Sequence, residues 1–221
     1  MKTRRPERVL VICNGVSPSR RLVRGLASLA DRVIAADGGA NTARARGIRA
    51  DAIIGDMDSV LPSTLRHFRR SAVLRVARQD NTDLEKALDV LSAEGNKEVV
   101  VIGAEGGRLD FTLANLSVLW KYVHRLEVTF RGDGWKAIAV GRTLVGKAVR
   151  GTTASLIPFG RCSGITLRGL QYGLTNASMG PGDVGVSNVV VSSPFRIRVR
   201  NGNMLLVLLD RSDRRKGSIR W

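Results

Sequence analysis

Cysteine is scarce in this chain: of 221 residues only Cys13 and Cys162 carry a thiol. Two cysteines cannot build a disulfide framework, and their separation is not that of a metal site. Aromatic residues make up 5%, too few for a platform on which nucleic-acid bases stack. No apolar run approaches the ~20 residues that a membrane span needs. The run Val9 to Cys13 is too short for the apolar region of a secretory signal and lacks a small-residue cleavage site. A cytoplasmic protein that does not span a membrane is the simplest expectation. Neither a Walker A loop nor a dinucleotide fingerprint after the first strand is present, so phosphate binding by those two devices is excluded. Internal repeats and low-complexity linkers are also missing.

What is present is globular in balance, with 43% hydrophobic and 25% charged residues. Lys and Arg number 36 against 19 Asp and Glu, a net charge of +17. Such an excess suits nucleic acid or a polyphosphate substrate. Most of it is arginine scattered along the chain, denser at Lys2, Arg4 and Arg5 and again at Arg211, Arg214 and Arg215. Scattered arginine is ordinarily solvated surface, and with so few aromatics nucleic-acid binding is disfavoured as the main role.

Strand and helix alternate through the first part of the chain. Arg8 to Asn14 is a near-continuous β-branched and apolar run, as in a strand covered on both faces. Helical spacing follows at Leu22, Leu26 and Leu29. Strands are expected at Val33–Ala36, Ala52–Ile54, Ala72–Val76 and Glu98–Ile102. Helices are expected after Asn41 (a short one ending near Gly47), from Pro62, from Thr82 to Leu91 and from Leu109 to Tyr122. Short joins between them indicate a parallel α/β sheet, whose ligands bind beyond the carboxyl ends of the strands. Near residue 130 helical periodicity stops. Trp135–Val140, Thr153–Ile157, Ile165–Leu170, Val184–Val191, Phe195–Val199 and Met204–Leu209 read as short strands of an all-β sandwich. The expected organisation is therefore an α/β domain over residues 1–131 and a β-sandwich over residues 132–221.

The chemistry-bearing residues follow the strands. Gly55-Asp56-Met57-Asp58-Ser59 ends an apolar run, and extended backbone would place the two carboxylates on one face. A hard divalent cation such as Mg²⁺ relieves their repulsion and takes one or two protein carboxylates beside substrate phosphates. Taken alone, the motif reads more often as a solvated acidic loop than as a metal site. In Gln79-Asp80-Asn81-Thr82-Asp83, Thr82 and Glu85 form a capping box and Asp83 suits the helix dipole. Capping does not explain Asp80. Gly106-Gly107-Arg108-Leu109-Asp110 offers glycines that let a ligand approach the backbone, a helix start and a guanidinium for phosphate. A plain turn is the alternative.

Asp37-Gly38-Gly39-Ala40-Asn41 joins these three motifs, and their order and spacing resemble the thiamine pyrophosphokinase family. Gly169 to Asn176 and Gly185-Val186-Ser187-Asn188 are similar to motifs of that family's second domain, so the resemblance spans roughly residues 9 to 209. It implies a homodimer with active sites at the subunit interface. It also implies transfer of the β,γ-pyrophosphoryl group of ATP to the hydroxyl of thiamine, giving thiamine diphosphate and AMP, with Mg²⁺. By position, Asp37, Asp56, Asp58, Asp83 and Asp110 correspond to the family's catalytic acids, with Asp56, Asp58 and Asp83 holding the metal. Asn41, Asp80, Gly106, Gly107 and Arg108 fall to ATP; Gln79, Tyr172, Ser187 and Asn188 fall to thiamine. Phe111 stands where many bacterial members have His, and Tyr172 where some have Trp. Stacking survives the second change. Asp58 or Asp83 would orient the attacking hydroxyl or take its proton. A pyrophosphokinase acting on another hydroxymethyl heterocycle, such as a pterin, is the alternative within catalysis.

Overall fold

The computed structural model describes residues 5–78, 80–95, 97–183 and 185–210. Gln79, Val184 and most of the arginine-rich ends lie outside them. The described residues form two compact units, one running to Asp133 and one beginning at Gly134.

The first unit alternates as expected. β1 (Glu7–Ile12), α1 (Arg20–Leu29), β2 (Arg32–Ala36), α2 (Gly39–Arg46), β3 (Ala52–Gly55), α3 (Pro62–His67) and β4 (Ala72–Arg75) wind outward in one direction. α4 (Asp83–Glu94) then crosses back, and β5 (Lys97–Ile102), α5 (Leu109–Tyr122) and β6 (Glu127–Gly132) complete the other half. The strand order is β6-β5-β1-β2-β3-β4, and every pair is parallel. Val9 to Ile12 in β1 are fully buried, which is why that strand reads as unbroken apolar sequence rather than as an alternation. α4 shows how local sequence sets an element. Thr82 Oγ1 accepts from Glu85 N at the helix start, and Leu84, Leu88 and Leu91 form the buried stripe. Glu85 does not close a capping box; its carboxylate takes Lys121 Nζ on α5 at 2.5 Å instead. Among the described residues no helix is long and apolar enough to cross a membrane.

The second unit is all β. β7 (Trp135–Val140), β8 (Thr143–Gly146), β9 (Thr153–Pro158), β10 (Cys162–Arg168), β11 (Leu174–Met179), β12 (Asn188–Val189), β13 (Phe195–Arg198) and β14 (Met204–Leu209) pair antiparallel in two sheets. One runs β12-β9-β14-β7 and the other β11-β10-β13-β8. Their inner faces close on one apolar core containing Phe195, Ile165, Ile197, Leu206 and Met204. The α/β unit and the β-sandwich expected from the sequence are both present. β8 and β11 escape a reading of apolar runs because they leave much of their surface in water and carry no sustained apolar run. The run expected as a strand over Val184–Val191 contracts to two residues, since Ser187 adopts φ 62° and turns the backbone out of extended geometry.

Candidate active site

The carboxylates gather at the carboxyl ends of the first unit's strands, on the β2–β3 side of the sheet. Asp37 follows β2, Asp56 and Asp58 follow β3, and Asp83 opens α4 after β4. In this sheet the strand order reverses between β1 and β5, where a ligand crevice would be expected. There the two loops are instead zipped together, with Gly15 N donating to Gly103 O and Val16 N to Glu105 O, both at 2.7 Å.

One carboxylate oxygen from each of Asp37, Asp56 and Asp58 lies within 4.8 Å of the others. Extended backbone does not produce this convergence. β3 ends at Gly55, and Met57 takes φ 72°, reversing the chain so that Asp58 N donates back to Asp56 Oδ1 at 3.3 Å. Asp37 itself sits at φ 42°, an uncommon conformation for a residue with a side chain and one that recurs at functional sites. Gly55 is required beside it, because a Cβ there would lie 2.6 Å from Asp37 Cβ.

Asp37 and Asp58 are each anchored through one oxygen. Asp37 Oδ2 accepts from Ser59 N at 3.0 Å, and Asp58 Oδ1 accepts from Ser59 Oγ at 2.8 Å. Asp37 is 1% exposed, and its Oδ1 is buried without a hydrogen-bond partner. Burial first, and then the negative charge of Asp83, push its carboxyl above the usual carboxylate range. A buried unpaired carboxylate oxygen is an unfavourable arrangement unless something satisfies it. Three converging oxygens of hard character, one of them orphaned, fit a hard divalent cation.

Asp83 stands outside this trio. Its Oδ1 accepts from Lys86 Nζ at 2.9 Å, and the same ammonium donates to Asp56 Oδ2 at 2.8 Å. The Lys86 side chain is 2% exposed. Burial pulls its pKa down, but the bonds to Asp56 and Asp83 outweigh that and hold it above its ordinary value. Lys86 in turn holds Asp56 below the usual carboxylate range. Helical periodicity could not have found this residue. It lies two positions beyond Leu84, roughly 200° around a helix of 3.6 residues per turn, where a solvent-facing side chain is expected. It is buried because α4 packs across β2 and β3, where Lys86 lies beside buried Ala87 and reaches Asp56 just beyond β3. The one local signal is the spacing Asp83-x-x-Lys86, which places both side chains on neighbouring turns.

The other expected residues separate into braces and exposed groups. Asn41 acts as a brace, donating to Ser59 O at 2.8 Å and accepting from Leu61 N at 3.1 Å, so it shapes the Asp56–Ser59 loop. Asp80 is exposed and paired with Arg78. Gly106 and Gly107 adopt φ 83° and 75°. The Gly106 N–H is already used by Thr112 Oγ1 at 3.1 Å, so it is not a free phosphate donor. Arg108 is exposed, bound to Asp110 through both Nε and Nη2, and lies 4.5 Å over the Phe111 ring. Phe111 thus gives the guanidinium a platform where a histidine could have offered acid–base chemistry. In the second unit, Asn188 Oδ1 accepts from Tyr172 N at 3.0 Å and from Val189 N at 2.8 Å, while its Nδ2 donates to Tyr172 O at 2.8 Å. Asn188 is therefore the brace of a loop that presents Tyr172, 64% exposed. Ser187 N donates to Ser155 Oγ at 3.1 Å.

An α/β sheet with a carboxylate cluster beyond its strands, followed by a β-sandwich, defines a class of two-unit proteins with a candidate cation site at the rim of the parallel sheet. Comparison with known proteins narrows that class. Residues 23–130 match the catalytic domain of thiamin pyrophosphokinase, and residues 143–204 match its vitamin B1 binding domain. Thiamine pyrophosphokinase 1 of rice (Oryza sativa subsp. japonica) is 30% identical over 67% of this chain and 62% of its own length. Thiamine pyrophosphokinase 3 of the same plant is 30% identical over 78% of this chain and 77% of its own. The crystal structure of thiamin pyrophosphokinase from Geobacillus thermodenitrificans superposes with a TM-score of 0.78 at 25% identity, covering 93% of this chain and 99% of that one. The chain belongs to the thiamine pyrophosphokinase family.

Proposed function

We propose that this protein is a thiamine pyrophosphokinase acting in the cytoplasm, with ATP as the donor and Mg²⁺ as the required cation. The observation that carries this reading is the Asp37–Asp56–Asp58 cluster with its orphaned buried oxygen, in a chain of this family. Asp56 and Asp58 would hold the metal, with Asp37 offering the third oxygen and Asp83 joined to them through Lys86. When bound, the ion would neutralise phosphate charge on the donor. Phosphoryl-type transfers need positioning and charge neutralisation more than covalent help from the protein. The hydroxyl oxygen of thiamine attacks the β-phosphorus of ATP, and the bond from that phosphorus to the α,β-bridging oxygen breaks. AMP leaves with that oxygen, and the hydroxyl proton passes to a carboxylate, Asp58 or Asp83. Arg108, exposed beside two glycines of positive φ and paired with Asp110, would exchange Asp110 for the donor phosphates. Tyr172, held by Asn188, would stack on thiamine's pyrimidine, with Ser187 beside it; Gln79 is assigned to the same ligand.

We also propose that the protein works as a homodimer with active sites at the subunit interface, which light scattering after gel filtration tests. The decisive assay for the activity is incubation with thiamine, ATP and Mg²⁺ followed by chromatography. Thiamine diphosphate and AMP in equal amounts are expected. AMP release with a pterin alcohol but not with thiamine would overturn the choice of acceptor.

A further inference from the structure

We infer that Lys86 is the positioning residue of this site: its buried ammonium ties Asp56 to Asp83 and sets the geometry in which Asp56 meets a divalent cation. The inference rests on the reading of the carboxylate cluster as a metal site. It does not depend on which acceptor alcohol is used.

The observations leave Asp56 little freedom. Its Oδ2 is held by Lys86 across thirty positions of sequence, and its Oδ1 by the N–H of Asp58. The loop that carries it turns through the positive φ of Met57, and among the described residues it is Lys86 that bonds it to α4. Lys86 has three N–H donors, of which Asp56 and Asp83 take two at 2.8 and 2.9 Å. An ammonium this buried is tolerated only when paired. Asp83, from the first turn of the helix, holds Lys86 aimed at Asp56, so its contribution to cation binding passes through Lys86. A basic residue behind a metal-ligating carboxylate plays the part that hydrogen-bond partners play behind ligating histidines, fixing the orientation of the group in front.

This role makes a prediction opposite in sign to simple electrostatics. If Lys86 were only a nearby positive charge, removing it would strengthen binding of a divalent cation, because a repulsion is lost. If it positions Asp56, removing it weakens binding. The test uses Mn²⁺ as the probe, followed by electron paramagnetic resonance on the full chain without nucleotide or thiamine. Lys86→Met should lower Mn²⁺ affinity by about 10- to 100-fold, the scale for partners behind metal ligands. Lys86→Arg, which keeps the charge but presents a longer, planar group, should also lower it, by a smaller factor. Asp83→Asn should follow Lys86→Arg. Unchanged or tighter Mn²⁺ binding in Lys86→Met would overturn the inference. Should that variant not fold, Lys86→Arg decides, with unchanged affinity counting against positioning.

The two readings fail separately. Weakened Mn²⁺ binding in the variants, with no thiamine diphosphate formed by the parent protein, would defeat the substrate assignment and leave Lys86 in its role. Normal turnover by the parent, with Mn²⁺ affinity indifferent to Lys86, would do the reverse.

Discussion

The two units manage charge in opposite ways. In the first, like charges are drawn together and partly buried: three carboxylates within 4.8 Å, with one ammonium beneath them. In the second, charge is kept outside a dry core and is nearly all of one sign, for among its described residues only Asp183 and Asp210 are acidic. Arg196 and Arg198 alternate with buried Phe195 and Ile197 along β13 and so face outward, and Arg196 stands directly opposite Arg168 on β10. Exposed like charges are tolerated because water screens them. Buried ones persist only where a counter-charge or a ligand offsets them. Concentrated, half-satisfied charge marks a site; dispersed charge marks a surface.

That contrast can be broken or sharpened by substitution. The largest effect is expected at Asp56. Asp56→Asn should lower turnover of thiamine and ATP by at least about 100-fold, beyond the usual range for residues behind a metal, while circular dichroism and melting stay close to the parent's. Near-normal turnover would remove the proposed metal site. Next comes the core of the second unit, where Phe195 is 1% exposed. Phe195→Ala should destabilise the protein by about 3–5 kcal/mol in denaturant unfolding. Mn²⁺ affinity measured well below the unfolding midpoint should not change.

A smaller effect is expected at Asn188, which holds the Tyr172 loop through three hydrogen bonds. Asn188→Ala should raise KM for thiamine and leave KM for ATP unaltered, with about 1–3 kcal/mol lost in stability. A rise in both constants would contradict its assignment to one ligand.

Asp37 gives a pH-dependent test. Its folded pKa lies above the unfolded value of about 3.9, because burial disfavours the charged form. The ionised carboxylate therefore lowers stability at neutral pH, and this loss disappears as pH falls below the unfolded value. In metal-free protein Asp37→Asn should melt higher than the parent at pH 7, and the difference should vanish near pH 3. A lower melting temperature at pH 7 would show that the carboxylate is satisfied within the protein. The smallest effect belongs to the β11-β10-β13-β8 sheet: Arg196→Thr should stabilise by a few tenths of a kcal/mol at low salt, as expected for relieving a like-charge pair opposite across strands. The gain should fade at high salt.

Most of the fold was legible from periodicity and punctuation. Leu109–Tyr122, Trp135–Val140 and Met204–Leu209 have the bounds that the apolar pattern indicates, because a buried face demands the same repeat wherever it occurs. Strands β8 and β11 were not legible, since each leaves much of its surface in water and carries no such demand. Within the site, Asp37, Asp56 and Asp58 could be nominated from short motifs at strand ends. Asn41 and Asn188 could also be nominated, but not as the braces they turn out to be. Their partners, the backbone at Ser59 and Leu61 and at Tyr172, are chosen by how loops fold back.

The sequence by itself determined the alternation of elements, the change to an all-β unit and the identity of the acids beyond the strands, because those depend on local pattern and short spacing. Tertiary structure alone decided that Met57 turns the backbone to bring two carboxylates to a third. It also decided that α4 lies across β2 and β3. That packing widens the buried face of the helix to include Lys86 and makes it a buried counter-ion to Asp56, although one-dimensional periodicity assigns the side chain to the surface.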